Sequence, residues 1–264
     1  MSGIVVVGGG AMGEALISGW IASGVSADEV AVVEPSPQRA ADLAARHGIA
    51  AIALEDAGAA DTVVLAVKPN TVVKVLSVLN GRLSPGALVV SIAAGVPLAV
   101  LEGALPGVAV VRVMPNTPAL LGKGMAGIVP GEAATEEHTA RVVDLMEAVG
   151  KALVIDEPHL DALTAISGSG PAYLFYVAEA MIEAGVHQGL SRGESTTLTN
   201  QTFVGAAAML AESGRSATEL REMVTSPAGT TAAALRVLDD AGVRSGFLAA
   251  VQACHDRSAE MARS

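Results

Sequence analysis

The sequence predicts an α/β fold, with an N-terminal doubly wound sheet over residues 1–156 followed by an all-helical part over 157–264. Three observations predict it. Short β-branched runs alternate with helical patterns in the first part, as they do in successive βαβ units. Those runs are apolar nearly throughout, which is how strands read when both faces of a parallel sheet are covered. After Ile155 no further run reads as a strand.

The strands are expected at 4–7, 30–33, 62–67, 88–92 and 108–113, with further ones at 125–129 and 152–155. The first helix shows Leu16, Ile17, Trp20 and Ile21 on one face. The second, at 36–47, opens on Ser36-Pro37, an N-cap followed by proline at the first helical position. Another helix is expected at 135–148. In the second part Leu174, Val177, Ala178, Met181, Ile182 and Gly185 follow the 3.6-residue period. Residues 195–212 are helical but rich in Thr, Gly and Ala, small side chains that let helices approach closely. The last helix lines Val243, Gly246, Phe247, Ala250, Val251, Cys254 and Met261 along one face, so Cys254 is expected as a small packed hydrophobe. So much helix with apolar, small-sided faces points to burial against another subunit.

Composition narrows the function classes. Of 264 residues 51% are hydrophobic and 16% charged, which excludes a disordered chain. With 27 acids against 16 bases the net charge is −11, which argues against nucleic acid or an anionic membrane as a partner. An anionic ligand must then be held by local devices such as helix N-termini. The single cysteine excludes an internal disulfide and a cysteine-rich metal site, and the five histidines show no metal-ligand spacing, so no metal is expected. The longest charge-free stretch, 83–101, is broken by Pro85, Gly86, Gly95 and Pro97 and does not read as a membrane span. The first residues lack a basic leader pattern, so a soluble, cytoplasmic protein is expected.

Gly8-Gly9-Gly10-Ala11-Met12-Gly13 fits G-x-G-x-x-G between a strand and a helix and makes the sheet Rossmann-like. Gly8 permits the tight turn, Gly10 lets the backbone approach a pyrophosphate, and Gly13 allows close helix–strand packing. At the end of the second strand Glu34 stands where an acid would take the ribose hydroxyls of NAD, while Ser36, Gln38 and Arg39 are placed to hold the 2′-phosphate of NADP. These two signals oppose each other. Two further segments, Ala66-Val67-Lys68-Pro69 and Arg112-Val113-Met114-Pro115-Asn116-Thr117-Pro118, sit at carboxyl ends of strands, the ligand-binding edge of open α/β sheets. In the helical part Ser167-Gly168-Ser169-Gly170-Pro171 is not a nucleophile elbow, since Ser167 and Pro171 stand where glycines are needed. Ser226-Pro227-Ala228-Gly229-Thr230-Thr231 leads into a helix near 230 whose first N–H groups can bind a carboxylate, although the same pattern also serves an ordinary N-cap.

These motifs, with Ser91-Ile92-Ala93-Ala94-Gly95 and with Ala172-Tyr173 completing the 167–171 run, resemble the pyrroline-5-carboxylate reductase family in order and spacing nearly end to end. The family usually has a second glycine where this chain has Ala228. The resemblance implies reduction of 1-pyrroline-5-carboxylate to L-proline, the last step of proline biosynthesis, with NADPH as cofactor and NADH also used. It places cofactor contacts on Gly8, Gly9, Gly10, Ala11, Met12, Gly13, Ser36, Ala66, Val67, Lys68, Pro69, Ile92, Ala93 and Ala94, and substrate contacts on Ser226, Gly229, Thr230, Thr231 and Glu157. Thr231 would be catalytic, its hydroxyl on the ring nitrogen. It also implies intertwined dimers, often five per decamer, in which the helical domain of one subunit completes the site of its mate. A β-hydroxyacid dehydrogenase shares this plan but carries a lysine four residues after a glycine on the long helix; here that position is Leu174. A non-catalytic nucleotide-sensing dimer would need the first motif but have no use for Ser226 to Thr231.

Overall fold

Successive residues of each short apolar run face opposite sides of one sheet, and both sides are covered. In the computed structural model, which describes residues 3–263, Ile4, Val6, Val32 and Val64 join one buried cluster, while Val5, Val7, Val63 and Leu65 join the other. The sheet unit runs β1 (Ile4–Val7), α1 (Ala11–Ala22), β2 (Val30–Val33), α2 (Pro37–His47), β3 (Ala50–Ala51), β4 (Thr62–Leu65), α3 (Pro69–Leu79), β5 (Leu88–Ser91), α4 (Leu98–Ala104), β6 (Ala109–Met114), β7 (Gly124–Pro130), α5 (Glu136–Glu147), β8 (Gly150–Val154) and α6 (Leu160–Leu163). The strand order is β3-β2-β1-β4-β5-β6-β7-β8. β1 lies between β2 and β4, with Val7 level with both Val33 and Leu65, so these three strands end together at the point where the chain reverses its direction of travel across the sheet.

Local chemistry explains the helix ends. Ser36 accepts the Arg39 N–H at 3.4 Å as the N-cap of α2, Pro37 follows, and Gly48 ends the helix in the left-handed conformation at φ 70°. α1 packs through Leu16, Ile17 and Trp20, all fully buried. The Trp20 indole N–H donates to the Leu145 carbonyl at 2.8 Å and ties α1 to α5.

The sheet departs from an all-parallel expectation at one place: β7 runs antiparallel to β6. Between Met114 and Gly124 there is only a short 3₁₀ turn, Thr117–Leu121, and a parallel return needs a longer crossover, usually a helix. Asn116 fastens this return. Its amide donates to the Ser167 carbonyl at 2.9 Å and its oxygen accepts the Met125 N–H at 2.8 Å. β3, two residues long, was also not expected.

By compactness the chain does not divide at the 156/157 border drawn from the sequence. The sheet unit runs on to Ser169 and takes up the chain again from Cys254, leaving Gly170–Ala253 as a second unit. Packing is the reason: Leu160 is buried in the second core cluster, and Gly127 leaves room for Leu163. The second unit holds α7 (Gly170–His187), α8 (Arg192–Glu212), α9 (Ala217–Met223), α10 (Thr230–Asp240) and the first part of α11 (Val243–Arg263). α8 and α9 open on Ser-to-Glu capping boxes at Ser191/Glu194 and Ser216/Glu219. α7 and α8 meet where Gly185 admits Ser195, whose hydroxyl donates to the Ile182 carbonyl at 2.8 Å. Of the described residues in this unit, only Ser195, Thr199 and Leu220 are buried, while Leu174, Phe175, Tyr176, Leu198, Val204, Val237 and Leu248 are exposed. Among the described residues no helix is long and apolar enough to cross a membrane.

The Thr62 hydroxyl is buried among the strands without a hydrogen-bond partner. Thr62→Val keeps the shape and removes that cost. We expect a gain of about 1 kcal/mol and a rise in Tm of about 2–4 °C by calorimetry.

Candidate active site

Two backbone contacts at the end of β1 shape the glycine loop. Gly8 has φ 111°, and a Cβ there would stand 2.6 Å from the Ala66 carbonyl oxygen. A Cβ on Gly13 would overlap the Gly8 carbonyl. Gly10 is the opposite case: nothing lies within 4 Å of where its Cβ would be, so the backbone faces an open cradle. Gly10 is also the N-cap of α1. The helix ladder begins with the Glu14 N–H donating to the Gly10 carbonyl at 2.9 Å, which leaves the N–H groups of Ala11, Met12 and Gly13 for a ligand. Free donors at a helix start beside an open cradle fit the pyrophosphate of a dinucleotide. The expected contacts at Ala66, Val67, Lys68 and Pro69 follow β4 and those at Ile92, Ala93 and Ala94 follow β5, so they lie at the same carboxyl edge. The Ala66 N–H donates to the Val7 carbonyl at 2.8 Å and the Ile92 N–H to the Leu65 carbonyl at 3.1 Å.

The charged residues beside this loop hold one another. Glu34 accepts the Gly9 N–H at 2.9 Å and the Ser36 N–H at 3.0 Å, so both carboxylate oxygens join the glycine loop to the start of α2. Arg39 donates through Nε to the Gly9 carbonyl at 2.9 Å and through Nη2 to Glu14 at 2.6 Å. Arg46 also pairs with Glu14, and His47 Nε2 lies 3.2 Å from it. Glu14 was not expected from the sequence. An acid in the first turn of a helix is a legible signal, but its pairing with the far end of α2 is not. The Arg39 hydrogen bond, helped by His47 and the charges of Arg39 and Arg46 and opposed by burial, lowers the Glu14 pKa from 4.5 to about 2.

Of the expected substrate residues, Ser226, Gly229, Thr230 and Thr231 lie in the helical unit. α10 begins at Thr230 with Gly229 as its N-cap. The Gly229 N–H donates to the Ser226 carbonyl at 3.0 Å, so it closes the turn and is not a free donor for a carboxylate. The first ladder bond, from the Ala233 N–H to the Gly229 carbonyl at 3.1 Å, leaves the N–H groups of Thr230, Thr231 and Ala232 in that role. Ala228 has φ 57°, the left-handed conformation, and no other described non-glycine residue does. Glu157 belongs to the sheet unit, where its Oε1 accepts the Leu98 N–H and pairs with the buried Arg112, both at 2.8 Å. Cys254 is half-buried, with its thiol donating to the Ser169 hydroxyl at 3.2 Å.

A glycine cradle at the switch point of a mainly parallel sheet, with a helical unit that buries almost nothing by itself, defines a two-part dinucleotide-dependent oxidoreductase. A family described as NADP oxidoreductase coenzyme F420-dependent matches residues 3–95, and one described as pyrroline-5-carboxylate reductase dimerisation matches residues 157–261. The chain belongs to the pyrroline-5-carboxylate reductase family. It is 46% identical to the enzyme of that name from Corynebacterium melassecola, covering 100% of both chains, and 41% identical to that from Escherichia coli, covering 98% of this chain and 97% of the relative. A solved pyrroline-5-carboxylate reductase from Coxiella burnetii superposes with a TM-score of 0.96 at 35% identity, over 100% of this chain and 99% of that one. The Plasmodium falciparum enzyme, solved with NADP bound, gives 0.87 at 30% identity over 98% of each.

Two predictions come from this geometry. The Glu14 pKa is depressed on folding, so its stabilisation is fully present above the unfolded value of 4.5 and is lost as pH falls through about 2. Glu14→Gln should therefore cost about 1–2 kcal/mol at pH 7, after discounting for screening at a carboxylate still partly exposed, and flatten the loss of stability below pH 4.5 in acid-unfolding curves. An L-residue in the left-handed conformation costs about 1–2 kcal/mol, and glycine's unfolded-state entropy takes back about 0.5–1 kcal/mol of any relief. Ala228→Gly should accordingly raise stability by about 0.5–1 kcal/mol in urea unfolding, while Ala228→Val lowers it.

Proposed function

We propose that this chain reduces the C=N bond of 1-pyrroline-5-carboxylate to give L-proline, the last step of proline biosynthesis, using NADPH and to a lesser degree NADH. The observation that carries the reading is the full-length likeness to pyrroline-5-carboxylate reductases together with a glycine cradle open at Gly10. Bound there, the dinucleotide supplies the hydride. Ala11, Met12 and Gly13 offer their N–H groups to its pyrophosphate in the loop shaped by Gly8, Gly9 and Gly10, Ala66, Val67, Lys68, Pro69, Ile92, Ala93 and Ala94 line its path, and Ser36 and Arg39 meet the 2′-phosphate. Glu34 serves by fixing Gly9 and Ser36.

On the substrate side, the N–H groups of Thr230, Thr231 and Ala232 hold the single carboxylate at the start of α10, with Ser226 and Gly229 shaping the turn. The Thr231 hydroxyl binds the ring nitrogen and sets the face presented to the hydride. An imine that arrives protonated leaves as a neutral amine, so no side-chain acid is needed and catalysis is chiefly positioning. Glu157 contributes through its grip on Leu98 and Arg112.

The protein works in the cytoplasm as a dimer, five of which assemble into a decamer. The apolar groove of about 690 Å³ lined by Tyr176, Val177, Met181 and Phe247 supports self-association through the helical unit.

NADPH oxidation followed at 340 nm with pyrroline-5-carboxylate tests the reading, and no turnover with that imine would refute it. Within it, Thr231→Val should lower kcat/KM roughly 5- to 150-fold, the value of about 1–3 kcal/mol for one lost hydrogen bond, with NADPH affinity unchanged. Thr230→Val keeps its backbone donor and should do less. The reverse ranking would show that the two threonines have exchanged roles.

A further inference from the structure

α11 begins in the helical unit, but from Cys254 onward it belongs to the sheet unit. Cys254, Ser258 and Met261 contribute to that attachment, and their spacing of four and three residues places them on one stripe of the helix. The Cys254 thiol donates to the Ser169 hydroxyl at 3.2 Å. The Ser258 hydroxyl donates to Asp161 Oδ1 at 2.6 Å. Met261 lies over Gly95, where an added Cβ would stand 3.4 Å from the Met261 Cβ and 3.6 Å from its Cε.

Gly95 has φ 73° and closes the loop that leaves β5 through Ile92, Ala93 and Ala94. Just beyond it, the Leu98 N–H is held by Glu157, which is itself paired with Arg112 on β6. This loop is thus pinned by a charged pair on one flank and by a methionine on the other. Met261 is still 42% exposed, so its contact with Gly95 adds little to the core. A flexible thioether is suited to seating on a bare backbone without imposing one rotamer.

We infer that Met261 is a positioning residue for the dinucleotide, holding the 92–95 loop in its receiving shape, with Cys254 and Ser258 seating the helix that carries it. The inference rests on the proposed contact of Ile92, Ala93 and Ala94 with the cofactor. It is tested on the full chain by titrating NADPH against its own fluorescence, alongside steady-state kinetics and thermal unfolding. Met261→Ala should weaken NADPH binding roughly 2- to 30-fold, the range for residues that act on a site without touching its ligand. Tm and kcat at saturating NADPH should stay near wild type, and Met261→Leu should restore affinity. Unchanged NADPH affinity in Met261→Ala overturns the inference, as does a loss confined to Tm. Ala94→Asp separates the premise from the inference by placing a carboxylate on the loop. If it too leaves NADPH binding unchanged, the loop does not meet the cofactor and both fall; if it alone weakens binding, only the role of Met261 falls.

Discussion

Backbone lies against backbone at the carboxyl end of β1, and the rest of the cofactor side depends on it. Gly8 sits on the Ala66 carbonyl and Gly13 on the Gly8 carbonyl, distances that leave no room for a Cβ. Only with both approaches made does α1 start directly above the switch point, its first N–H groups turned to the cradle that Gly10 leaves open. The helix is held there from below. Leu16, Ile17 and Trp20 fill one face of the sheet, and the Trp20 indole anchors on α5. The core therefore positions the donors, and the glycines let it do so.

A chain with net charge −11 must still attract an anionic cofactor. The acids beside the glycine loop are occupied. Glu34 is taken up by two backbone N–H groups, and Glu14 by Arg39, Arg46 and His47. Each carboxylate becomes a brace between the β1–α1 segment and α2, and the start of α1 keeps its free N–H groups at the open cradle. The same pairing keeps Glu14 ionised far below the ordinary range of a carboxylate.

The helical unit carries the opposite imbalance. Leu174, Phe175, Tyr176 and Val204 are exposed, and Ser195, two of whose neighbours in space are Gly185 and Ile182, is among the few buried residues. Apolar surface on that scale is favourable only when covered, which is consistent with the dimerisation family that matches 157–261. The turn from Ser226 to Thr231 sits in this unit, with one residue, Ala228, held in a conformation that glycine adopts more readily.

Much of the architecture is legible along the chain, because burial on both faces writes itself into local runs. Strands at 4–7 and 30–33 fall where the apolar runs place them, the helix at 36–47 starts on its Ser-Pro signal, and α10 begins where the small-residue turn ends. The glycine cradle is legible for the same reason, since its demands are met within six neighbouring residues. The antiparallel course of β7, the two-residue β3, the engagement of Glu34 with Gly9 and Ser36, the Glu14 cluster and the return of α11 to the sheet unit are not. Each joins residues far apart in sequence or too few to show a period, and a side chain's partner is decided only when packing has chosen which elements lie side by side.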